Sequence, residues 1–270
     1  MRSLSQEKQS NPWLERTQLE TLQGRFAYPK DYSYEAAALQ KRGEWRAADM
    51  LALLGGGDRQ MRRFLELGCA DGMTGAALAA RGKLVTAVDT GRSVLDARAK
   101  DAGVGFRRMD AGYLQLDDDT YDVVYSYNSF EHFSDPARVL SEAARTTRKG
   151  GYIYLSFGPL YYSPWGLHAY RSVTVPYCHL LFRRQDLARF TGENGLPPID
   201  FKQVNGWSLQ AFRTLWRQFD DVLQRVRYRE YPDTAHVNLI EEYPSCFRGK
   251  VPSLDDLTIY QIEVLFRKHN

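Results

Sequence analysis

Two short segments of this sequence combine glycines with an acid in a way that suits ligand binding. In residues 64–72 a glycine turn follows an apolar stretch, and in residues 85–89 a second apolar stretch ends in an aspartate. Glycine lets the backbone approach a bound molecule without a Cβ in the way. A carboxylate at the end of the next strand can accept hydrogen bonds from both hydroxyls of a ribose. The two segments therefore predict a βαβ unit that binds a nucleoside.

The glycine spacing distinguishes two cofactors that can use this plan. A dinucleotide site needs G-x-G-x-x-G, so that a helix N-terminus meets a pyrophosphate. Here the glycines are Gly68, Gly72 and Gly75, and Ala70 stands where the second glycine would be. Glu66, two residues before the turn, would repel a pyrophosphate but suits a ligand that carries an ammonium and a sulfonium. The spacing therefore favours S-adenosylmethionine over NAD.

Composition narrows the class of protein. The chain has 270 residues, enough for one large α/β domain with additions, and a net charge of +3, which does not suggest neutralisation of a nucleic acid. Its three cysteines (Cys69, Cys178 and Cys246) are far apart, and we expect free thiols in a reducing cytoplasm, with no signal peptide. No apolar run approaches the roughly 20 residues of a membrane span.

Strand-like and helix-like segments alternate along the middle of the chain. This alternation predicts an α/β fold with a doubly wound parallel sheet. Two later strands, at 199–204 and 257–266, would complete a seven-stranded, mostly parallel sheet, and residues 207–228 have helical periodicity. The earlier predicted strands are 63–67, 84–88, 104–109, 121–125 and 152–157, and the predicted helices are 73–81, 94–100, 136–148 and 185–194.

Aromatic segments flank this cofactor-binding core, which we place at residues 61–157 of a main domain that spans 61–270. Residues 1–60 are expected to form an N-terminal helical cap segment, loose over the first 11 residues. Insertions at about 158–182 and 207–252 are too aromatic and too long for plain loops and are expected to complete a cap.

Several segments resemble the class I S-adenosylmethionine-dependent methyltransferases. Residues 66–72 resemble their motif I, E-x-G-x-x-x-G, and Asp89 resembles their ribose-binding acid. Asp110, after the third strand, resembles the acid that accepts a hydrogen bond from the adenine amino group. Residues 125–132 resemble the segment after strand four that often ends in Glu-His beside the methyl group. The resemblance, which covers roughly residues 61–157, implies a Rossmann-like fold, with S-adenosyl-L-methionine as cofactor and S-adenosyl-L-homocysteine as product.

The resemblance also implies a set of site residues and no metal site. Residues 117–119, three consecutive aspartates, are more simply a solvated loop. The implied cofactor-binding residues are Glu66, Gly68, Cys69, Ala70, Gly72, Asp89, Thr90, Asp110, Ala111, Tyr127, Asn128 and His132.

Two histidines are candidate bases for a methyl transfer. Displacement at a sulfonium gains most from holding donor and nucleophile in line in a dry pocket, and a hydroxyl nucleophile also needs a base. His168 lies in an aromatic segment after the fifth strand, where ligands of open α/β sheets bind, and His132 lies on the methyl-facing segment. Each has a structural alternative, and His179 and His236 carry little signal.

These patterns predict methyl transfer to a small molecule, at a hydroxyl of a sugar, an aromatic or a secondary metabolite. Alternatives are N-methylation of a small molecule or RNA, a catalytically silent partner subunit that binds S-adenosylmethionine, and an NAD oxidoreductase. Residues 126–129 lack the Asn/Asp-Pro-Pro-Tyr/Phe signature of base amino methylation. Arg213 and Arg217, one helical turn apart, could meet an anion or pair with nearby acids. A homodimer stays open, and we expect no membrane or nucleic-acid partner.

Overall fold

The computed structural model describes residues 12–27, 33–55, 60–91 and 95–269. The expectation for residues 1–11 lies outside the described residues. The chain divides into two compact units. The sheet unit contains the described parts of Lys30–Gly158, Asn205–Tyr231 and Gln261–Asn270. The insertion unit contains the described parts of Met1–Pro29 together with Pro159–Val204 and Pro232–Tyr260.

Seven strands form one sheet in the order β3-β2-β1-β4-β5-β7-β6. Pairing is parallel from β3 through β5, and β7 runs antiparallel to β5. This arrangement confirms the predicted α/β fold with a doubly wound, mostly parallel sheet. The strands are β1 (Arg63–Leu67), β2 (Leu84–Asp89), β3 (Gly105–Arg108), β4 (Tyr121–Tyr127), β5 (Thr147–Phe157), β6 (Leu223–Pro232) and β7 (Ile259–Lys268).

Several of the described helices begin after a residue whose side chain caps them. Before the fifth helix, the Asp135 side chain accepts a hydrogen bond from the Arg138 N–H at 3.0 Å, and Pro136 occupies the first turn. In chain order the helices are α1 (Arg16–Gln23), α2 (Ala36–Leu53), α3 (Met73–Ala79), α4 (Ala97–Asp101), α5 (Pro136–Thr146), α6 (Cys178–Leu181), α7 (Arg184–Glu193), α8 (Leu209–Gln218), α9 (Asn238–Glu242), α10 (Pro244–Phe247) and α11 (Leu254–Thr258).

Each unit has its own apolar core. In the sheet unit, Phe64, Val123 and Leu78 are buried in one cluster. Strands of a parallel sheet are covered on both faces, which is why β1, β2 and β4 are nearly continuous apolar runs. The insertion unit buries residues distant in sequence, such as Leu19 and Leu239, in a second cluster. The segment after β5 is thus packed structure, as its aromatic composition predicts.

Two secondary-structure predictions were wrong. Residues 199–204 form turns, not a strand: the Asp200 side chain accepts a hydrogen bond from the Lys202 N–H at 2.9 Å, which favours a turn. The predicted helix over 207–228 ends at Gln218, and β6 follows. In β6 three arginines alternate with other residues, a period of two that fits a strand.

The domain boundaries also differ from the expectation. Asn205–Tyr231 belongs to the sheet unit, so the expected insertion at 207–252 is divided between the two units. The cause is β6, which extends the sheet. The expected insertion at 158–182 lies, except for its first residue, in the insertion unit.

Helices α2 and α3 approach closely at Gly43. A Cβ added to Gly43 would lie 2.4 Å from the carbonyl oxygen of Met73, closer than any real contact. Gly192, near the end of α7, has nothing within 4 Å of the same position. Both glycines are helical, but only Gly43 is crowded by a neighbouring helix.

We predict that Gly43→Ala destabilises the protein by about 1–3 kcal/mol, because overpacking outweighs the gain in helix propensity. Gly192→Ala, the matched control, should be neutral or stabilising by up to about 1 kcal/mol. Urea unfolding of both variants measures the difference. A Gly43→Ala protein as stable as Gly192→Ala would contradict the close packing of α2 on α3.

Candidate cofactor-binding site

The loop after β1 turns sharply on three left-handed residues. Gly68, Ala70 and Gly72 have φ angles of +71°, +46° and +74°. The N–H groups of Gly68 and Cys69 donate to the carbonyl oxygen of Val88 at 2.9 and 3.2 Å, which ties the loop to the end of β2. The sequence predicts a tight turn at Gly68 and Gly72, and the structure has one there. Ala70 adopts a backbone conformation that glycine prefers.

Asp89 joins the loops that follow β1 and β2. One carboxylate oxygen accepts the N–H of Ala70 at 3.1 Å, and the other accepts the N–H of Gly91 at 3.3 Å. Each carboxylate oxygen has two lone pairs, so these bonds leave capacity for further donors such as ribose hydroxyls. Thr90 is exposed, and its carbonyl accepts a hydrogen bond from Arg108 at 3.0 Å.

Asp110 follows β3, the next strand along the same edge of the sheet. It is exposed, and one carboxylate oxygen accepts the N–H of Gly112 at 2.8 Å, whereas Ala111 is buried. The carboxyl ends of β1, β2 and β3 therefore present the glycine loop, Asp89 and Asp110 in strand order. Ligands of open parallel sheets bind at this edge.

The segment after β4 lies directly against the glycine loop. The Ser129 hydroxyl donates to the carbonyl oxygen of Gly68 at 2.9 Å, and a Cβ on Gly68 would lie 2.6 Å from that of Ser129. Asn128 has a φ of +47°, and its N–H donates to Ser156 at 2.8 Å. Tyr127 is buried, and its hydroxyl donates to the carbonyl of Arg46 at 2.8 Å. The contact at Ser129 was not predicted, because it joins residues 61 positions apart.

Glu66 and Cys69, two of the residues predicted to bind the cofactor, are buried. Glu66 is 3% exposed, and burial raises its pKa to about 8, so the carboxyl group is protonated at neutral pH. The contact of Glu66 with a cofactor stays a prediction. Burial also raises the pKa of the Cys69 thiol, which leaves it a small neutral residue.

The two candidate bases lie in different units. His132, in the sheet unit, is half-buried, and its Nε2 is 3.9 Å from an oxygen of Glu131. Burial raises the pKa of Glu131 to about 7. His168, in the insertion unit, has its Nε2 2.9 Å from the carbonyl oxygen of Pro159. A carbonyl can only accept, so Nε2 carries a proton and only Nδ1 can receive another.

A cavity of about 520 Å³ lies at the opposite, amino-terminal edge of the strands. Among the described residues that line it there is no carboxylate and no imidazole. None of the residues expected to bind the cofactor lines this cavity. The lining consists of Arg63, Ala79, Gly82, Lys83, Leu84, Val85, Thr86, Ala102, Gly103, Gly105, Thr120 and Tyr121.

The basic residues of α8 and β6 are largely paired with acids. Arg213 contacts Glu230 at 2.6 Å, and Arg225 lies 4.0 Å from Asp220. The sequence allowed Arg213 either to bind an anion or to pair with a nearby acid, and the structure shows the ion pair with Glu230. Within the described ranges, every helix is too short or too polar to span a lipid bilayer.

Comparison with known proteins fits this geometry. The family model described as "Methyltransferase domain" matches residues 65–155, from β1 into β5. These residues therefore form a methyltransferase domain. The matched residues include the glycine loop, both aspartates and the loop after β4, so the family resemblance expected from the sequence is confirmed.

Curated relatives of this methyltransferase domain match over about a third of the chain. A ubiquinone biosynthesis O-methyltransferase from Coxiella burnetii is 28% identical over 100 residues, 35% of this chain and 43% of the relative. One with the same name from Aeromonas salmonicida is 35% identical over 101 residues, 35% of this chain and 42% of the relative. The chain thus spans less than half the length of these relatives.

A solved structure shows the same fold over a longer range. The S-adenosylmethionine-dependent methyltransferase from Mesorhizobium loti is 20% identical, with a TM-score of 0.50. The match covers 85% of this chain and 99% of that one. It extends well beyond residues 65–155 and supports the fold of the sheet that carries the methyltransferase domain.

His179 is buried in the core of the insertion unit, where burial lowers the pKa of its imidazole to about 3. In the unfolded chain a histidine binds a proton below about pH 6.5. Between these two values the unfolded state binds more protons than the folded state. The contribution of His179 to stability therefore falls as the pH drops from 6.5 toward 3.

We predict that His179→Leu makes stability less sensitive to acid. Relative to the wild type, the variant should gain about 2 kcal/mol in free energy of unfolding between pH 7.5 and pH 5. Urea unfolding at both pH values measures this gain, and His269→Gln, at an exposed position, is the control. Equal acid sensitivity in the wild type and in His179→Leu would show that the imidazole is not held neutral by burial.

Proposed function

We propose that the protein binds S-adenosylmethionine and transfers its methyl group to a hydroxyl of a small-molecule acceptor, leaving S-adenosylhomocysteine. The observation that carries this proposal is the carboxyl edge of the sheet. There the glycine loop, Asp89 and Asp110 follow β1, β2 and β3, and Ser129 contacts Gly68 from the loop after β4.

The described residues fit such a cofactor. The carboxylate of Asp89 would accept hydrogen bonds from the ribose hydroxyls, and that of Asp110 would accept one from the adenine amino group. Left-handed residues in the Gly68–Gly72 loop allow the backbone to approach the methionyl part. The sulfonium supplies an electrophilic methyl group and a good leaving group. The protein then has to align the acceptor with the methyl group and to exclude water from the site.

An oxygen acceptor is supported by the relatives, whose names describe O-methyltransferases. A hydroxyl becomes a good nucleophile when a base takes its proton as the new O–C bond forms. We propose His132 as this base because it lies on the same loop as Ser129, which contacts Gly68. His168 is the second candidate, with Nδ1 as the nitrogen that would receive the proton.

The binding part of the proposal predicts that S-adenosylmethionine, and not NAD, gives saturable heat in titration calorimetry. Asp89→Ala should raise the Kd by about ten- to a hundredfold, because ribose acceptors and two loop hydrogen bonds are lost. The matched control is Asp122→Ala. Asp122 accepts the N–H groups of Arg62 and Arg63 at 2.7 and 2.8 Å at the amino-terminal edge, so this variant should change the Kd less than about threefold. Binding of NAD alone would overturn the assignment.

The transfer itself is tested by incubating the protein with isotopically labelled S-adenosylmethionine and a metabolite extract. Mass spectrometry should find labelled methyl ethers among the products. Labelled methylamines would instead show that the acceptor atom is nitrogen. Cofactor binding without a labelled product from any extract would favour a silent partner subunit.

The base assignment predicts that His132→Ala lowers kcat by about 10²–10⁴-fold, with little change in the Kd for S-adenosylmethionine. The fall of kcat/KM on the acidic side should also disappear, since it reports protonation of the base. His168→Ala is the parallel variant. If His168→Ala alone loses activity, the base is His168, and His132 has a structural role.

A further inference from the structure

We infer that Asn205 is the positioning residue of the loop that carries His132: its side-chain amide and main-chain N–H hold the backbone of residues 130–133 in place for transfer. The catalytic consequence rests on the proposed function, whereas the ordering of the loop does not. Asn205 is part of none of the motifs in the sequence. It is the first residue of the sheet unit after the insertion-unit segment Pro159–Val204.

Asn205 makes hydrogen bonds to three residues of this loop. Its Nδ2 donates to the carbonyl oxygens of Phe130 and Phe133, both at 3.1 Å. Its main-chain N–H donates to the carbonyl of Glu131 at 2.8 Å. These acceptors surround His132 on both sides in sequence. One residue therefore fixes the direction of the backbone from which the imidazole projects.

The orientation of the Asn205 amide is itself fixed by a hydrogen bond to its oxygen. Its Oδ1 accepts the N–H of Trp207 at 3.0 Å, so the amide cannot rotate without losing hydrogen bonds at both ends. Three residues after Asn205, the hydroxyl of Ser208 accepts the Ala211 N–H and caps α8. Asn205 thus links the start of this helix to the loop.

Aromatic packing reinforces the same link. The ring of Phe130 lies 6.2 Å from that of Phe212 and 5.9 Å from that of Trp216, both on α8. Apolar contacts of this kind hold the loop near the helix but set no direction for its carbonyl groups. The hydrogen bonds of Asn205 supply that direction.

The other end of the loop is fixed to the cofactor side. The hydroxyl of Ser129 donates to Gly68, and the N–H of His132 donates to the carbonyl of Ser129 at 2.9 Å. With Asn205 intact, the loop is held both at the glycine loop and at α8. Without its side-chain amide, the contacts of Ser129 and of the Glu131 carbonyl remain, while the carbonyl oxygens of Phe130 and Phe133 on either side of His132 lose their donor. A displacement of about 1 Å at a reacting group can cost on the order of a hundredfold in rate.

Two variants test the inference, each by a different change. Asn205→Asp keeps the shape and the acceptor for Trp207 but replaces the two donors with an oxygen that faces two carbonyls. Asn205→Ala removes the whole amide. The control is Asn194→Ala in the insertion unit, where Nδ2 also donates to a main-chain carbonyl, that of Phe190 at 2.9 Å.

The first measurement is amide hydrogen exchange of the ligand-free protein. Asn205→Asp should speed exchange at residues 128–133 by at least about tenfold and leave β4 and β5 unchanged. Asn194→Ala should leave the loop as in the wild type. Equal exchange in wild type and Asn205→Asp would overturn the inference, whether or not the protein transfers methyl groups. If Asn205→Ala does not fold, the Asp variant still gives this comparison.

The second measurement separates positioning from binding. Both Asn205 variants should lower kcat by about ten- to a hundredfold, while the Kd for S-adenosylmethionine by calorimetry changes less than about threefold. A wild type that does not bind S-adenosylmethionine would refute the proposed function and leave the exchange result standing. An active wild type with unchanged kcat in both variants would refute the positioning role.

Discussion

Close approach of two backbone loops at Gly68 is the constraint on which the candidate site depends. Ser129 fills the space where a Cβ on residue 68 would lie, and its hydroxyl donates to the carbonyl oxygen of Gly68 at 2.9 Å. Because β1 and β4 are adjacent and parallel, their following loops emerge side by side. The glycine then allows these loops to touch. The loop after β4 is thereby held against the glycine loop, which is proposed to bind the methyl donor.

Burial raises the pKa of two carboxyl groups near these loops. Glu66 and Glu131 lie beneath the loops, and burial raises the pKa of both toward or above neutrality. Asp110, in contrast, is exposed. The edge of the sheet thus separates acids that shape the loops from acids that can accept hydrogen bonds from a ligand. Sequence spacing alone treats these acids alike, since it contains no information on depth.

The features that could be predicted from the sequence are those determined by residues close together in the chain. Strands β1 to β5, the glycine loop, Asp89 and Asp110 follow from apolar runs, glycine positions and residues that end strands. The edge strand β6 was missed because its first residues were included in the helix predicted over 207–228, although the arginines of 225–229 alternate with a period of two. Ser129 and Asn205 were missed for another reason. Their roles arise from hydrogen bonds across 61 to 75 positions, which no local pattern encodes.

The segmented make-up of the insertion unit has a consequence for the order in which the protein is assembled. Leu19 and Leu22 of α1 are buried in the same core as Leu239 and Phe247, and Arg25 pairs with Glu242 at 3.1 Å across 217 positions. During synthesis the chain emerges from its amino terminus at roughly 5–20 residues per second. Helix α1 is therefore made roughly ten seconds or more before the residues at 239–257 that share its core. Until then, only the earlier part of this core, at residues 167–190, is present to cover the apolar face of α1.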